Sequence, residues 1–499
     1  MTNDPAGSRG DGGASTPFRI PYPRAVAAAA VVAAVFFLYG ENLLLALVGH
    51  DTYPIILSAR IENAADAIGT FTEELMDGRY TQGRFYRPVL NLSFAADHAL
   101  YDLRAWGFHL TDLLILSGCA ILLGALGGGG SGRRFGAAGI AAALFFVVHP
   151  VHLNILPVAA RRGDTLSLLF LAGALLAGRR RGRAGPWVAG ALALLSVGAK
   201  EVGILAPVLL FLDRVLEPKE GGRNRWARGA ITAAPAAGAI LLFLAARSAA
   251  LGGLGGHASL TPLSFLGHSW LIFPEFQRST FYPIPFLSSL LAGHTARGAA
   301  TILLLLLTAV LFRRSPRRNT AVLAWCWMIL GWLVHGLSLA VSPWYALHTV
   351  APFALLTGLC IEEAWEAFRR GGPAARVAGA LAAATVLLLF VVNLKSAPPF
   401  EFHPEWRDAS RRTRLFLGDL DRRLAETPDG GTITMTDLPH LSRYRKGSPI
   451  FLVAALTDYT VQAYAELVHP DRKVRVSFPR PDVPPAAPDE VLVLVSPRR

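Results

Sequence analysis

The sequence has few charged residues and almost no cysteine. Only 17% of its 499 residues are charged, whereas 53% are hydrophobic, and the mean hydropathy is +0.41. A chain of this composition does not fold as an ordinary water-facing globule over most of its length, so lipid is the implied solvent. The cysteines, Cys119, Cys326 and Cys360, lie far apart and lack CxxC spacing, which argues against a disulfide framework and a zinc site.

The net charge of +13 does not predict a nucleic-acid partner. The basic residues form short clusters between apolar runs, not one continuous surface or tail. Short cytoplasmic loops of membrane proteins retain positive charge, so these clusters act as topology signals. The clusters that occupy alternate loops, and are therefore predicted to be cytoplasmic, are Arg19 and Arg24, Arg133 and Arg134, Arg179 to Arg181 with Arg183, Arg223, Arg225 and Arg228, Arg313, Arg314, Arg317 and Arg318, and Arg369 and Arg370.

Long apolar runs recur along the chain. A helix needs about 20 apolar residues to cross a hydrocarbon core of ~30 Å. Runs that approach this length occupy residues 25–48, 107–126, 135–151, 165–178, 186–199, 202–217, 229–250, 297–313, 319–341, 345–363 and 375–394. The sequence therefore predicts an α-helical polytopic membrane protein with about 11 transmembrane helices.

The predicted topology places the N-terminus in the cytoplasm and the C-terminus outside. Residues 1–22 are Gly/Ser-rich and predicted to be disordered, and 23–394 form the transmembrane domain. The first run lacks an A-x-A exit and is too long for a cleaved signal peptide, so we expect a retained span. The large outer loops are 50–106 and 251–296; the second is interpreted as carrying interfacial or re-entrant helices, and two short spans over 263–291 would preserve the same topology.

The outer segments differ in their patterns. In the first outer loop, amphipathic helices are predicted, with Pro88 and Gly107 as breaks. After the last span, a helical stretch at 404–426 precedes the strand-like segments GTITMT, IFLVAAL with a following helix, VRVSF and EVLVLV. This order predicts a small extracytoplasmic α/β domain over 395–499.

Ionisable residues concentrate at the outer ends of the predicted spans. They are His50, Asp51, Arg84, Arg87, His98, His109, His149, His152, Arg161, Arg162, Asp164, Lys200 and Glu201. Charges at hydrocarbon depth are costly, so their clustering at one face predicts a shared polar cavity. Arg161, Arg162 and Lys200 also oppose the positive-inside bias, which an anionic ligand such as a lipid phosphate would offset.

Simpler structural roles remain open for these groups. Arg161 with Asp164, or Lys200 with Glu201, would neutralise each other at a helix end. Asp51 would cap the helix that follows it. The histidine pair of the HPVH sequence, His149 and His152, would bind a metal or only cap a helix.

Four further residues have two interpretations each. Glu41 is a buried functional carboxylate, or else the first helix ends near Gly40. Arg278, Tyr282 and His294 are candidate ligand contacts in the second outer loop, although interfacial anchoring explains Tyr282 equally well.

Three sequence blocks together resemble a known family. An Asp directly after the first span is followed by YRPVLNLSFAADHALYDLRAWGFHLTDLLIL (86–116), LFFVVHPVHLNILPVAARRGDTLSLLFLAGALL (144–176) and GAKEVGILAPVLLFLDRVL (198–216). In order and spacing, these blocks resemble the integral-membrane GT-C glycosyltransferases of the TMTC type, which are relatives of the protein O-mannosyltransferases. The resemblance covers about residues 40–217 and implies a GT-C-like multi-helix fold.

The resemblance also implies a reaction. A sugar would pass from an undecaprenyl- or dolichyl-phosphate donor, bound from the bilayer side, to a protein, lipid or glycan acceptor on the outer face. Asp51 would be the general base of an inverting transfer, because a carboxylate accepts the proton of the acceptor hydroxyl while cations stabilise the departing phosphate. The residues that the family pattern places around the donor are Arg87, His149, His152, Arg162, Asp164, Lys200 and Glu201.

The sequence departs from the family pattern at three places. The usual pair of adjacent acids is His50-Asp51 here, and Asn154 stands where the block after HPVH usually carries an acid. A divalent metal that joins two acids in relatives would be absent or held differently. The tetratricopeptide arrays of TMTC members are missing, so acceptor recognition does not carry over.

Two other functions stay open. The first is a catalytically inactive relative that binds an envelope partner, supported by the missing second acid. The second is a transporter or flippase for a lipid-linked anion, which predicts inverted repeats and midplane charges. The Ala/Gly/Arg-rich composition is compatible with a high-GC bacterium, which would place the protein in an inner membrane with a periplasmic site.

Overall fold

The computed structural model describes residues 24–80, 83–128, 136–180, 182–217, 224–256, 262–283, 293–313, 315–337, 342–435, 438 and 455–478. The predicted disordered N-terminus lies outside these ranges, as do most of the IFLVAAL segment and all of EVLVLV.

Helices dominate the described residues. The α-helices are α1 Arg24–Tyr39, α2 Thr52–Ser58, α3 Ala64–Thr72, α4 Pro88–Tyr101, α5 Ala105–Gly127, α6 Ala137–Val148, α7 Arg162–Gly178, α8 Ala184–Ala199, α9 Ala206–Leu216, α10 Arg225–Leu251, α11 Pro262–Phe281, α12 His294–Phe312, α13 Arg318–Val334, α14 Leu347–Arg370, α15 Pro373–Lys395, α16 Pro404–Glu426 and α17 Asp458–Val468. Short 3-10 helices lie at Gly40–Leu44, Leu75–Gly78, Pro150–Asn154, Ala159–Arg161, Glu201–Leu205, His335–Leu337 and Pro343–Ala346.

Each predicted apolar run falls on a helix, within a few residues at most ends. Among the described residues, seven helical segments are long and apolar enough to cross a membrane, namely Ala25–Leu44, Ala105–Gly127, Ala137–Asn154, Arg225–Leu251, Thr295–Phe312, Pro343–Arg369 and Pro373–Lys395. Two shorter apolar helices, Ala184–Ala199 and Arg318–Val334, lie between them. The prediction of a helical, multi-pass membrane protein is confirmed, whereas the number of spans and their orientation stay predictions.

The breaks predicted in the first outer loop have different outcomes. Pro88 is the first residue of α4, where a missing N–H costs nothing. Gly107, in contrast, lies inside α5, so the prediction of a break there is wrong. A Cβ at Gly107 would meet the Tyr101 ring at 2.1 Å, so the glycine admits the Tyr101 side chain against the helix.

The second outer segment contains a 20-residue helix, α11, with Pro274 inside it. This helix packs against α14 and against the 3-10 helices at 335–337 and 343–346. Residues 284–292 lie outside the described part, so the prediction for that stretch has no structural counterpart here. Whether α11 lies at the interface or crosses the membrane stays a prediction.

The C-terminal segment packs on the first outer loop. Strands β1 (Thr432–Thr434) and β2 (Arg475–Ser477) form a parallel pair beside α17. Within the described part of the chain, the sheet consists of these two strands. Its hydrophobic core is continuous with the outer loop, where the Tyr53 and Tyr464 rings meet edge to face with centroids 5.0 Å apart.

Polar contacts join the same parts of the chain. The Trp406 indole donates to the Leu153 carbonyl at 2.8 Å, and the Ala46 amide donates to the Ser410 hydroxyl at 2.8 Å. Because these bonds are buried, leaving any of the groups unpaired would be costly. Helix α16 is therefore anchored directly on the segments that follow α1 and α6.

Candidate functional site

The turn that carries the predicted base depends on a glycine. Gly49 has a φ of +105°, and a Cβ there would lie 2.5 Å from the Val158 Cγ1 atom. Both its backbone angle and its lack of space favour glycine. The turn directs His50 and Asp51 away from α1 and into α2.

Asp51 stands at the N-cap position of α2 but does not cap it, since its side chain makes no capping hydrogen bond. Its Oδ2 atom lies 3.2 Å from His50 Nε2, and its Oδ1 atom accepts a hydrogen bond from the Tyr459 hydroxyl at 2.9 Å. The Asp51 side chain is 29% exposed. Of the two interpretations of Asp51, the structural cap is not what the geometry shows.

The surroundings of Asp51 favour its charged form. Burial raises the pKa of this carboxyl, but the charge and hydrogen bond of His50 and the hydrogen bond from Tyr459 outweigh burial and leave the pKa lowered. For His50 the balance has the opposite sign: burial lowers its pKa, yet Asp51 raises it above the ordinary value. Asp51 is therefore a carboxylate at neutral pH, ready to accept a proton.

A second carboxylate, Glu201, connects three segments of the chain. Arg87, at the start of α4, donates to it from Nη2 at 2.8 Å and from Nε at 3.1 Å. Arg247 of α10 contacts the other oxygen at 3.1 Å. Burial raises the pKa of Glu201, but the two guanidinium groups outweigh it and lower the pKa to about 2. Glu201 is thus held as an anion that balances two cations.

Lys200 and Asp164 form a second ion pair beside the first. The Lys200 ammonium lies 2.6 Å from both Asp164 oxygens, and it also lies 4.7 Å from the centre of the Tyr345 ring. Neither predicted pairing, Lys200 with Glu201 or Arg161 with Asp164, is formed. Lys200 binds Asp164, while Glu201 binds arginines from other segments.

Arg161 has no carboxylate within salt-bridge distance among the described residues. Its guanidinium stacks on the Trp344 ring, 3.5 Å from the ring centre, and donates to the Asn154 carbonyl. It interacts electrostatically with Asp164 and with Asp51, which places it in the same cluster. Arg161 is therefore a positive charge that the neighbouring chain does not neutralise through a direct ion pair.

The next residue, Arg162, lies elsewhere. Its side chain is fully buried and contacts the carboxylates of Asp97 and Asp112, each at 2.6 Å. It also donates to the Phe108 carbonyl at 2.9 Å. The structure therefore places Arg162 in a network that joins α4, α5 and α7, away from the Asp51 cluster.

The two histidines of the HPVH sequence are also fully buried. His149 Nδ1 accepts from the Val151 amide at 3.2 Å, and its Nε2 atom lies 3.1 Å from the Thr280 carbonyl. His152 Nε2 lies 2.7 Å from the Phe146 carbonyl. The capping interpretation fits His149, and the structure does not bring either ring to Asp51.

The carboxylates of this cluster have protein partners in the structure. Asp164 and Glu201 are each bound by cationic side chains, and Asp51 holds His50 and Tyr459. Within the described ranges, no three His, Cys, Asp or Glu side chains converge in a way that would hold a metal ion. Asn154 is buried and supplies its carbonyl to Arg161.

The remaining sequence candidates have other partners. Glu41 lies in the 3-10 helix Gly40–Leu44 that continues α1, and its part-exposed carboxylate pairs with Arg407, which does not fit a buried functional carboxylate. Arg278 pairs with Glu275 at 2.5 Å, and Tyr282 is buried. His294 begins α12, and its side chain is not among those described.

Other candidates sit at the edges of the outer loop. Arg84 pairs with Glu74 at 2.5 Å, whereas His98 lies 3.7 Å from Asp102. His109 is fully buried inside α5. None of these contacts joins the Asp51 cluster.

The sequence patterns missed four residues of the cluster: Arg247, Trp344, Tyr345 and Tyr459. Arg247 is a lone cation near the end of the predicted run at 229–250, which was a detectable signal. Trp344 and Tyr345 begin an apolar run and resemble ordinary interfacial aromatics. Tyr459 lies 408 residues from Asp51, and no local pattern indicates such a contact.

No protein-family model matches the chain, and no curated protein does. Among solved structures, the arabinofuranosyltransferase AftD from Mycobacteria is similar with 15% identity and a TM-score of 0.46, over 91% of this chain and 31% of that one. ArnT from Cupriavidus metallidurans, bound to undecaprenyl phosphate, is similar with 16% identity and a TM-score of 0.43, over 91% of this chain and 89% of that one.

An oligosaccharyltransferase from Archaeoglobus fulgidus is similar with 13% identity and a TM-score of 0.41, over 74% of this chain and 53% of that one. This chain thus spans about a third of the arabinofuranosyltransferase and about half of the archaeal enzyme. Likenesses at this level of identity and TM-score do not establish a family.

Proposed function

We propose that this protein is a GT-C-type membrane glycosyltransferase of a bacterial inner membrane. It transfers a sugar from a polyprenyl-phosphate donor to a hydroxyl of a protein, lipid or glycan acceptor on the extracytoplasmic face. Asp51 is the general base. The sequence blocks at 86–116, 144–176 and 198–216 support the family, and the cluster around Asp51 supports the reaction.

One observation carries the proposal: a part-exposed carboxylate lies within a cluster that holds more cations than anions. The cluster contains Arg87, Arg161, Lys200 and Arg247 against Asp51, Asp164 and Glu201, so its formal charge is +1 with neutral His50 and +2 with protonated His50. A site of this sign favours a phosphate, and Asp51 supplies the base that the transfer requires.

The chemistry follows from these charges. The acceptor oxygen bonds to the anomeric carbon as its proton passes to Asp51, and the bond from that carbon to the phosphate oxygen breaks. The configuration at the carbon is inverted. The departing polyprenyl phosphate gains one negative charge, which nearby cations stabilise. Asp51 then releases its proton to solvent through its exposed edge.

Arg161 is the cation best suited to bind the donor phosphate. Arg87 and Lys200 already hold Glu201 and Asp164, whereas the contacts of Arg161 with the described residues are a carbonyl and the Trp344 and Trp406 rings. A guanidinium held flat against an aromatic ring keeps N–H donors for a phosphate. We do not include Arg162, His149 and His152 in the proposed donor site, because their contacts lie within the buried bundle.

The second candidate is an inactive scaffold. It is favoured by His50 in place of a second acid and by the engagement of both Asp51 oxygens with protein groups. Each carboxylate oxygen has two lone pairs, however, so one partner apiece leaves room for an acceptor hydroxyl.

The test is sugar transfer or donor hydrolysis by purified protein with a panel of short polyprenyl-phosphate sugars. General-base catalysis contributes about 10²–10⁴-fold, so Asp51→Asn should reduce turnover by that range without loss of fold. Glu62→Gln is the matched control, because Glu62 is an exposed acid of the same outer loop paired with Arg60.

Three outcomes separate the candidates. Turnover that only Asp51→Asn abolishes supports the enzyme and its base. If Asp51→Asn turns over the donor as fast as wild type, Asp51 is not the base. Binding of polyprenyl phosphate without turnover of any donor in the panel favours the inactive scaffold.

A further inference from the structure

The C-terminal helix α17 meets the candidate base through consecutive residues. The Tyr459 hydroxyl donates to Asp51 Oδ1 at 2.9 Å, and the next residue, Thr460, donates from its hydroxyl to the His50 carbonyl. Just before the helix, the Ala455 carbonyl accepts from the Gly49 amide at 2.9 Å. Residues 49–51 are thus held along their whole length by residues 455–460.

The packing around this strip keeps α17 in place. Helices α2 and α17 are neighbours, and Tyr53, two residues after Asp51, meets Tyr464, five residues after Tyr459. The Tyr464 hydroxyl donates to Asp421 of α16 at 2.9 Å, and Arg79 pairs with Glu466 at 2.6 Å. The position of the Tyr459 hydroxyl is therefore set by a packed element and not by a loose side chain.

On the basis of the proposed function, we infer that Tyr459 is a positioning residue for catalysis, through which the C-terminal segment orients the Asp51 carboxylate toward the acceptor hydroxyl. The inference adds a residue from the far end of the chain to the transferase site. It also gives the C-terminal segment a role in the reaction beyond packing.

The geometry explains how Tyr459 orients the base. A lone carboxylate rotates about its Cβ–Cγ bond between near-equivalent states. Because Tyr459 binds Oδ1 and His50 binds Oδ2, the carboxylate cannot rotate freely, and each of its oxygens has a different partner. The lone pairs that remain then point in fixed directions, as a base needs if it is to take a proton from a bound hydroxyl.

The same hydrogen bond tunes the base. A donor that binds the charged form of a carboxyl lowers its pKa, and Tyr459 contributes to the low pKa of Asp51. Burial raises the pKa of Tyr459, and the charge of Asp51 raises it further, so the phenol keeps its proton and stays a donor. Loss of the hydroxyl should therefore leave Asp51 both less oriented and easier to protonate.

The test compares Tyr459→Phe with Tyr464→Phe in the full-length protein. Both variants remove one hydroxyl from the same helix and keep the ring, but only Tyr459 bonds to Asp51. Misplacement of a catalytic group costs up to about 10²-fold, so kcat/KM of Tyr459→Phe should fall by about 10-fold to 10²-fold. The acid limb of its pH profile should move to higher pH, whereas Tyr464→Phe should retain the wild-type profile.

A second readout does not depend on turnover. Carbodiimide labels protonated carboxyls, so the labelling of Asp51, followed by peptide mass spectrometry against pH, reports its protonation directly. In Tyr459→Phe the midpoint should rise, and in Tyr464→Phe it should match wild type. An unchanged midpoint together with an unchanged pH profile in Tyr459→Phe would overturn the inference.

The two readouts separate this inference from the proposed function. If Tyr459→Phe shifts the labelling midpoint but the protein transfers no sugar, the hydrogen bond between Tyr459 and Asp51 is supported. Its role in catalysis is then rejected together with the proposed function. If wild type transfers sugar, and Tyr459→Phe has the same transfer rate and the same Asp51 labelling midpoint as wild type, the proposed function stands and the role of Tyr459 is rejected.

Discussion

The Arg87 guanidinium holds the Glu201 carboxylate through two nitrogen atoms, with Nη2 2.8 Å and Nε 3.1 Å from Oε2. Arg87 precedes α4, Glu201 follows α8, and Arg247 reaches the same carboxylate from α10. Three parts of the chain thus meet at a single anion.

Glu201→Gln should lower the melting temperature by a few degrees, because it leaves Arg87 and Arg247 close together without an anion between them. Glu217→Gln, which breaks only the pair between Glu217 and Arg214 on the chain surface, should leave the melting temperature unchanged. Thermal melts of the two variants in the same detergent provide the measurement.

The stabilisation by Glu201 should depend on pH in a defined direction. The native pKa is lowered to about 2 from an ordinary value of 4.5. Stability from such a group is complete above the unfolded pKa and is lost as the pH falls through the folded pKa. The difference in melting temperature between wild type and Glu201→Gln should therefore be constant above pH 4.5 and shrink toward pH 2. A difference that grows on acidification would contradict the ion-pair assignment.

Adjacent arginines should give opposite phenotypes. Arg161→Lys removes the guanidinium that stacks on Trp344, so the Kd for polyprenyl phosphate should rise by about 10-fold while the fold is kept. Arg162→Met leaves the buried Asp97 and Asp112 without their cation, and should reduce the free energy of unfolding by about 3–5 kcal/mol.

Donor-binding titrations and denaturation of both variants provide the comparison. Weaker donor binding in a well-folded Arg162→Met, with unchanged binding in Arg161→Lys, would reverse the assignment of the two arginines.

Gly49→Ala should damage the site through the backbone. Alanine at a φ of +105° is strained, and its Cβ would lie 2.5 Å from Val158. We expect a loss of roughly 1–3 kcal/mol in stability together with reduced sugar transfer, since the turn carries His50 and Asp51. Gly238→Ala is the control, because that glycine is helical and has no atom within 4 Å of the added Cβ.

His50→Asn should change the pH dependence of transfer more than its maximum. His50 lowers the pKa of Asp51 through its charge and hydrogen bond, so its loss should move the acid limb of kcat/KM to higher pH. At neutral pH Asp51 would still be a carboxylate, and the rate there should fall by less than in Asp51→Asn. Profiles between about pH 3 and 9 test this, and an acid limb at the wild-type pH would rule out the coupling.

Hydrophobic patterning predicted the helices well because lipid-spanning helices must satisfy their backbone internally and are long and apolar. Runs such as 107–126 and 375–394 coincide with α5 and α15 within two residues. Gly107 was misjudged because glycine is a break in a local pattern, whereas here it makes room for the Tyr101 ring.

Local sequence could not separate the two arginines of Arg161-Arg162. The first ends a 3-10 helix and the second begins α7, and successive side chains on such a turn point to different sides. One guanidinium stacks on Trp344, whereas the other enters the bundle between Asp97 and Asp112. The sequence analysis had only the positive charge of the two residues, and therefore predicted an anionic ligand for both Arg161 and Arg162.

By itself, the sequence determined the helical membrane fold, because long apolar runs follow from local composition. It also showed ionisable residues clustered at the ends of these runs, and the family resemblance implied Asp51 as the candidate base. The tertiary structure alone decided how the charges pair, since Lys200 reaches Asp164 across 36 residues and Arg87 reaches Glu201 across 114. It also decided that Tyr459 meets Asp51 across 408 residues. Contacts over such separations depend on how helices pack, and no local pattern encodes them.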